Sequence, residues 1–544
     1  MKNTSKGLES LLLWCLALVT ILITPFFSYD PFNIPKFAAI VVFASIALIL
    51  MIFNRKILFA NLHIPVLSCA SFFLIWALLS SIFSSTNTTE IFYGVTGRQT
   101  GFITYASFIV VFILAIIVSS DLVAERVLRI LVICGALSFI YGVIQFYNFD
   151  FFDWTNPYSP VIGFFGNPNF QSSFLGIGVV GAFSLIKFKN RLISILHILL
   201  MCALIYGINL TQSRQGYLVV LSGIAISIFF KLQFFLKNKF WLASYSVLIL
   251  ITALSVILDM LQKSPWKPFI YKESVTYRGD FWRSGWQMTL DNPVFGVGLD
   301  GFRDNYRVYK DLAAALRPIP DAVVDSAHNV FLDISSGGGL PLLIAYLGIV
   351  FYTLLSTVRI FRRLKTQKLI LVGIFSCWVA FTSQSLISMN NIAIAIWGWT
   401  FSGLLIGYEI NTRKDEDKVS YLKTSNSIFA KSLGILIGVI IVSPQVLVDA
   451  QFKNSVESKD YSKIYQNALQ WPQSVKRITL IAEDLSVAGF PVQSRELIIQ
   501  AIELNPRNFE AWLVFARLPN STEEEVNFAL KKLRELDPLN PGLK

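Results

Sequence analysis

The sequence predicts an all-α, polytopic membrane protein with about 12–13 transmembrane helices, a long outer loop containing short helices, and a C-terminal helical-repeat segment. Three observations carry that expectation. Hydrophobic residues make up 54% of the chain and charged residues 15%, richer in the first and poorer in the second than a soluble domain. Apolar runs of about 18 or more residues recur, the length needed to cross a hydrocarbon core. They are continuous, unlike the short alternating segments of a transmembrane β-barrel. Basic residues fall in alternate links between those runs, as the topology of a cytoplasmic-membrane protein requires.

In order, the apolar runs cover 10–27, 35–53, 64–83, 101–119, 127–147, 169–187, 192–209, 214–234, 240–259, 329–357, 369–387, 390–408 and 428–447. Lys2 and Lys6 precede the first run, and Pro25-Phe26-Phe27 follows it rather than a small-residue cleavage site, so it reads as a retained helix. With the N-terminus inside, one set of links holds Arg55 and Lys56; Arg126 and Arg129; Lys187, Lys189 and Arg191; and Lys231, Lys237 and Lys239. The same set continues with Arg359, Arg362, Arg363, Lys365 and Lys368, then Arg413, Lys414 and Lys418. The other set holds little beyond Lys36, Arg98 and Arg214. A single phase satisfies every link, so 84–100, 148–168, 210–213, 260–328 and 448–544 are expected on the periplasmic or extracellular side. The formal charge of +12 is accounted for by this topology, and no nucleic-acid partner is implied.

The organisation expected is N-terminal transmembrane helices over 1–84, a membrane core over 85–410 that includes the outer loop 260–328, a linker and last span over 411–449, and a soluble segment over 450–544. In that last segment Ala501-Ile502-Glu503-Leu504-Asn505-Pro506 is echoed by Leu533-Arg534-Glu535-Leu536-Asp537-Pro538, with a weaker copy at Leu469-Gln470-Trp471-Pro472. The prolines recur at about the 34-residue period of tetratricopeptide repeats. A tetratricopeptide-like array on the outside follows, with an arbitrary helical tail as the alternative.

The polar stretch from Tyr277 to Asn329 is where chemistry is expected. Cys15, Cys69, Cys134, Cys202 and Cys377 all lie in apolar runs, so neither a disulfide framework nor a cysteine metal site is supported. Glu90, Asp280, Asp300 and Asp325 look scattered, without the clustering a metal cage needs. Gly296-Val297-Gly298 lacks the rest of a dinucleotide fingerprint, and no P-loop is present; it reads as a turn that lets backbone pass close to the site. No serine sits in a nucleophile elbow. His63 and His197 read as interface or hydrogen-bonded core histidines. His328, between Ala327 and Asn329 at the entrance of an apolar run, is either a general base or a helix-terminal polar residue. Arg214 either pairs with phosphate at headgroup depth or snorkels to lipid. Arg278 and Arg283 flank Trp282, with Trp286 one turn further on, which predicts a short interfacial helix ending before Pro293. Two arginines from separate outer segments suggest a clamp for a multiply charged anion such as pyrophosphate.

Taken together, Gly166-Asn167-Pro168-Asn169, Ser213-Arg214-Gln215-Gly216, Arg278-x-x-x-Trp282 followed by Pro293-Val294-Phe295-Gly296-Val297-Gly298, and Ala327-His328-Asn329 before Gly338-Gly339-Leu340 resemble, in order, the motifs of the O-antigen ligase and polymerase family. The resemblance covers roughly 85–410. It implies transfer of a glycan from a polyprenyl diphosphate donor to an acceptor hydroxyl at the outer face of the cytoplasmic membrane. It assigns the diphosphate to Arg214 and Arg278 and the base to His328. Arg283, Trp282, Asn329, Arg98 and Asn169 are candidates for further substrate contacts. No cofactor, nucleotide sugar or metal is expected. Gly338 and Gly339 depart from the acidic residue often found shortly after the histidine. The acceptor could be a glycan, a lipid or a protein, so ligase, polysaccharide polymerase and protein O-oligosaccharyltransferase all fit. A transporter of lipid-linked glycan is disfavoured by the lack of mid-membrane charges and repeat symmetry. Residues 450–544 could hold a protein partner.

Overall fold

The computed structural model describes residues 3–54, 64–84, 88–154, 156, 159–186, 190–235, 239–260, 273–317, 324–363, 369–413 and 428–543. Lys2, Arg55, Lys56, Lys187, Lys189, Lys237, Lys365, Lys368, Lys414 and Lys418, which enter the topology argument, lie outside the described residues, as do His63 and, in the long loop, 261–272 and 318–323.

Among the described residues the regular elements are helical. The membrane part comprises α1 (Asn3–Ile21), α2 (Asn33–Phe53), α3 (Ile64–Phe83), the short α4 (Thr88–Tyr93), α5 (Phe102–Val118), α6 (Asp121–Phe146), α7 (Pro168–Ser184), α8 (Arg191–Leu210), α9 (Gln215–Phe235) and α10 (Lys239–Met260). The loop that follows holds α11 (Glu273–Asp291), α12 (Phe302–Tyr309) and α13 (Leu312–Ala315). Then come α14 (Val330–Arg363), α15 (Leu369–Ser385), α16 (Ile392–Arg413) and α17 (Ile428–Ser458). Each apolar run read from the sequence overlaps one of these helices. Among the described residues eight helices are long and apolar enough to cross a membrane, and α5 and α15 are shorter apolar ones. The first run ends as a helix at Ile21 rather than near 27, because Pro25 disfavours helical geometry in the residue before it.

Helix α16 is the axis of the bundle. Its whole apolar window is buried, and Trp397, Trp399, Phe401 and Leu405 face α1, α5, α14 and α15. Gly403 and Gly407 let it press on α5: a Cβ on the first would stand 2.5 Å from the Phe112 carbonyl oxygen, and one on the second 2.2 Å from that of Ile116. Small residues serve the α2–α17 pair in the same way, where Cβ atoms on Gly434 and Gly438 would lie 2.6 and 2.7 Å from the Ile46 and Val42 Cα atoms. Lipid gives no hydrophobic drive for helix pairing, so such close backbone approach is how membrane helices gain dispersion contacts.

Helix α14 is broken at Gly339, where φ is +73°. The break frees backbone groups, and the 293–298 turn satisfies them. Val297 N–H donates to the Ser336 carbonyl at 2.7 Å, Gly298 N–H to that of Gly337 at 3.0 Å, and Leu340 N–H returns to the Pro293 carbonyl at 2.8 Å. From α3, Ser80 Oγ donates to the Phe295 and Gly337 carbonyls, and Trp76 Nε1 to those of Val294 and Gly338. Gly296 and Gly298 have φ of +67° and +100°, so only glycine takes these positions without strain. The turn expected to pass close to the site is thus a plug fixed in the helix break, and it sets where the loop to His328 begins.

Beyond the membrane part, α18 (Tyr461–Ala468), α19 (Val475–Val487), α20 (Pro491–Leu504), α21 (Phe509–Arg517) and α22 (Glu523–Leu536) form successive hairpins. Their own core includes Ala482, Leu485, Leu497, Ile498, Ala501, Trp512, Ala529 and Leu533. Pro472, Pro506 and Pro538 fall in or just after the links that close each hairpin. Ser474, Asn508 and Thr522 cap the helices that follow links, Thr522 in a reciprocal box with Glu525.

Candidate active site at the loop face

Three segments converge at the end of the bundle that carries α4, α11 and the start of α14. The first is the 94–101 turn after α4. Gly94 and Gly97 have φ of +89° and +94°, and Gln99, at +50°, shares that left-handed region. The turn is pinned by Asp300, whose two carboxylate oxygens accept from Thr100 Oγ1 at 2.6 Å and Val95 N–H at 3.1 Å. Arg98 therefore leaves the turn in one direction. Its guanidinium lies 3.5 Å from Asp300 Oδ1 and donates to the Asp325 carbonyl, with the side chain only 10% exposed.

The second segment is α11. It packs one face inward, with Asp280, Ser284, Met288 and Thr289 buried against α12 and α14, while Trp286 and Leu290 stay exposed. Arg278 and Phe281 share a face by their i, i+3 spacing. Burial holds the Arg278 guanidinium below its usual range. Trp282 is half-buried, and its indole N–H meets no acceptor among the described residues. Arg283 is engaged by carboxylates, Asp280 at 2.6 Å and Asp311 at 2.8 Å.

The third segment is the turn into α14. His328 has φ of +51°, uncommon for a residue with a side chain and a mark of imposed geometry. Its N–H donates to Ser326 Oγ at 3.1 Å, and Ala327 N–H donates to Asp333 Oδ1 at 2.7 Å. Asn329 caps α14, its Oδ1 accepting from Phe331 and Leu332 N–H at 3.0 and 3.3 Å. The imidazole lies on the Phe281 ring, with centroids 5.6 Å apart and 29° between planes. Burial first, then the positive charges of Arg278 and Arg98 against the opposing Asp325, push the His328 pKa down to about 3. The ring is neutral at pH 7 and still partly accessible.

The structure thus brings Arg98, Arg278, His328 and Asn329 into one neighbourhood, with Trp282 beside them on α11. Asn169 and Arg214 belong to a second joint. There Asn167 caps α7 through Asn169 N–H at 2.8 Å, and Ser213 Oγ donates to Asn169 Oδ1 at 2.7 Å. Gly216 N–H donates to Ser172 Oγ at 2.9 Å, in a space where a Cβ would come within 2.3 Å of that oxygen. The two motifs at 166–169 and 213–216 are one packed unit, with Arg214 exposed at its surface. His197, expected as an interface or hydrogen-bonded core histidine, has Nδ1 2.7 Å from the Ile193 carbonyl one turn back in its own helix.

Sequence reasoning missed the acidic side of the site. Asp300 and Asp325, scattered along the chain, meet at Arg98, and Arg303 lies 3.7 Å from Asp325. Asp333 also acts on Arg98 and holds the histidine turn. Its position in the first turn of an apolar helix, one turn after the Asn329 cap, was a signal, since ionisable residues at a membrane helix are rarely idle. Among the described residues no group of three or more His, Cys, Asp or Glu side chains could hold a metal ion.

Fold and site together define a multi-pass, all-α membrane protein with a histidine beside Arg98 and Arg278 at one end of its bundle. Comparison with known proteins finds similarity over part of the chain. A family model described as O-antigen ligase matches residues 197–347, which span α8 to the first half of α14. Over 261 residues the chain is 26% identical to the teichuronic acid biosynthesis protein TuaE of Bacillus subtilis (strain 168), covering 44% of this chain and 50% of that protein. The chain thus spans about half the length of the curated relative it matches. Both findings agree with the resemblance to the O-antigen ligase and polymerase family that the motifs carry.

Proposed function

We propose that the protein moves a glycan from a polyprenyl diphosphate carrier to an acceptor hydroxyl on the outer face of the cytoplasmic membrane. His328 is the base, and Arg278 and Arg214 hold the diphosphate, with Arg98 as a further cation beside the histidine. The observation that carries this reading is His328, held in a left-handed turn against the Phe281 ring with the charges of Arg278 and Arg98 acting on it. The acceptor oxygen bonds to the anomeric carbon and its proton passes to His328. The carbon–oxygen bond to the carrier breaks, and its electron pair leaves on the diphosphate. Attack from the face opposite the leaving group inverts configuration. Fixed guanidinium donors stabilise the charge that grows on the leaving group, so no carboxylic acid is needed to protonate it.

The depressed pKa fits this chemistry in one specific way. A histidine with pKa about 3 is a poor base, but part of that depression comes from Arg278 and Arg98. A diphosphate held by Arg278 and lying near Arg98 offsets their charge and returns basicity to the ring, so the base becomes competent once the donor is seated. Trp282, Asn329, Asn169 and Arg283 remain candidate substrate contacts, Arg283 requiring release from Asp280 or Asp311. TuaE, named for teichuronic acid biosynthesis, favours a second reading within the same chemistry: a polysaccharide chain as acceptor, hence a polymerase. Residues 450–544, read as tetratricopeptide-like repeats, could hold a protein partner or acceptor.

The test is transfer by the purified protein from a synthetic polyprenyl diphosphate glycan, with chelator present. His328→Ala should cost about 10²–10⁴-fold, the usual worth of general-base catalysis. An unaffected variant removes His328 from the reaction. Loss of wild-type transfer on chelation overturns metal independence.

A further inference from the structure

We propose that the C-terminal hairpins are a clamp for the site, and that Asn505, Asn508 and Asp537 act through Asp304, Arg307 and Lys310 as positioning residues for Arg98 and His328. What is positioned rests on the glycosyl-transfer reading above; the clamp itself does not.

Each of the three proline links that close the hairpins touches the α4 segment or the outer loop. At the first, Ser474 Oγ lies 2.8 Å from Thr96 Oγ1 on the Arg98 turn, Val475 N–H donates to Glu90 Oε1 at 3.1 Å, and Trp471 meets Tyr93 edge-on. At the second, Asn505 Nδ2 and Asn508 Nδ2 donate to the two oxygens of Asp304 at 2.7 and 3.3 Å. The other end of each amide is used at home, accepting from Arg507 and Ala511 N–H. At the third, Asp537 Oδ2 accepts from Lys310 Nζ at 2.8 Å and Arg307 Nη1 at 3.3 Å. Arg307 also stacks 4.0 Å over the Phe509 ring. The near-regular spacing of the prolines thus places one polar link per hairpin along a single edge, and that edge is the docked one.

The joint is polar and closed. Asp537 and Lys310 are 1% and 3% exposed. Buried ion pairs of this kind repay their desolvation poorly, and apolar side chains would stick at least as well. What they supply is a unique register, because a displaced charge is left unpaired. That register reaches the site through α12. Arg303, adjacent to Asp304, lies 3.9 Å from Glu510 of the hairpins on one side and 3.7 Å from Asp325 on the other. Asp325 accepts from Arg98 through its carbonyl, and Asp300, just before α12, lies 3.5 Å from the same guanidinium. A shift of α12 therefore moves both partners of Arg98, and Arg98 and Asp325 both act on His328.

The experiment uses the full chain in detergent. Lys310→Met with Asp304→Ala opens the joint from the membrane side and leaves the caps of the hairpins intact. The expected result is a fall in kcat of about 10–100-fold, the scale of a misplacement near 1 Å. Hydrogen exchange should rise at Arg98–Gly101 and Ser326–Asn329. Adding Thr96→Cys with Ser474→Cys, whose native oxygens are already 2.8 Å apart, should restore both rate and protection when oxidised and neither when reduced. Loss of folded enzyme alone would lower the rate without moving its pH profile, whereas displacement of Arg98 shifts the acid limb set by His328. If exchange at 475–487 shows the joint open while rate and protection at the site stay at wild-type levels, the clamp is overturned. If the double variant does not fold, Asp537→Asn takes its place with the same readouts. If wild-type protein transfers nothing, the transfer reading fails, and protection at Ser326–Asn329 alone decides the clamp.

Discussion

The Phe281 ring covers one face of the His328 imidazole, with 5.6 Å between centroids and 29° between planes. An apolar ring against a titratable one withholds water from the charged form and so favours the neutral form. It also fixes the plane in which a proton can be taken. Phe281 does for the base what the αL turn at His328 does for its backbone, which is to leave one orientation.

Phe281→Ala should make that effect visible in the pH dependence. The reactive imidazole is neutral, and rate is lost as pH falls through its pKa. For free wild-type protein that pKa is about 3, so kcat/KM should show no His328 limb above pH of about 4. Opening the ring to solvent relieves the desolvation and moves the pKa up toward the ordinary histidine value, bringing an acid limb into the range of about pH 5–6.5. For kcat, which reports the donor-bound state, the wild-type limb should already lie higher, because the diphosphate offsets Arg278 and Arg98. A kcat/KM profile that Phe281→Ala leaves flat removes the desolvation argument.

Arg278→Lys keeps the charge and removes the planar fork. If the fork grips the diphosphate, the lost charge-assisted hydrogen bond is worth about 1.5–3 kcal/mol, roughly 10–100-fold in kcat/KM. Steady-state kinetics with donor varied measures it. Activity equal to wild type would leave Arg278 as a distant field and not a ligand of the diphosphate.

The spans were legible because a bilayer imposes a simple rule, a continuous apolar run long enough to cross, and His328 and Arg278 stood out as rare polar groups beside them. What the sequence hid was pairing. Arg98 meets an aspartate that follows it by about 200 positions, and nothing local marks the match. Phe281 is one of 46 phenylalanines and has no feature of its own until the fold lays it on the histidine. Gly338 and Gly339 read only as a departure from an acidic pattern, yet Gly339 breaks α14 and thereby receives the 293–298 plug. The proline period in the tail was visible, but the edge it builds was not, because docking depends on Asp304, Arg307 and Lys310 in a different segment.

Gly339→Ala tests the helix break. A Cβ there would stand 2.2 Å from the Val294 carbonyl oxygen, in a backbone region that side chains rarely adopt. The strain alone costs on the order of 1–3 kcal/mol, and the contact forces the plug out of the break. The expected outcome is a lower melting temperature in detergent, with raised exchange at the Val297 and Gly298 amides. A variant as stable as wild type would mean the plug is not held by the break.

The tail joint should respond to pH through Glu90, which lies on α4 and accepts Val475 N–H. Burial, with the neighbouring Asp304 charge, pushes its pKa up to about 8, against opposing contributions from that hydrogen bond and Arg303. A carboxyl whose pKa is raised in the docked state prefers to be protonated there, so docking is favoured at low pH. It weakens as pH climbs from the ordinary carboxyl range toward 8, because an undocked Glu90 ionises freely in water. Each unit of that gap is worth about tenfold in the docking equilibrium. Protease cleavage or hydrogen exchange within Val475–Val487 should therefore increase by at least about tenfold between pH 6 and pH 9. Glu90→Gln keeps an acceptor for Val475 N–H and cannot ionise, so its exchange should change little with pH beyond the intrinsic chemical rate. If wild type and Glu90→Gln follow the same curve, another group governs the joint, with Asp304, also raised by burial, the next to replace.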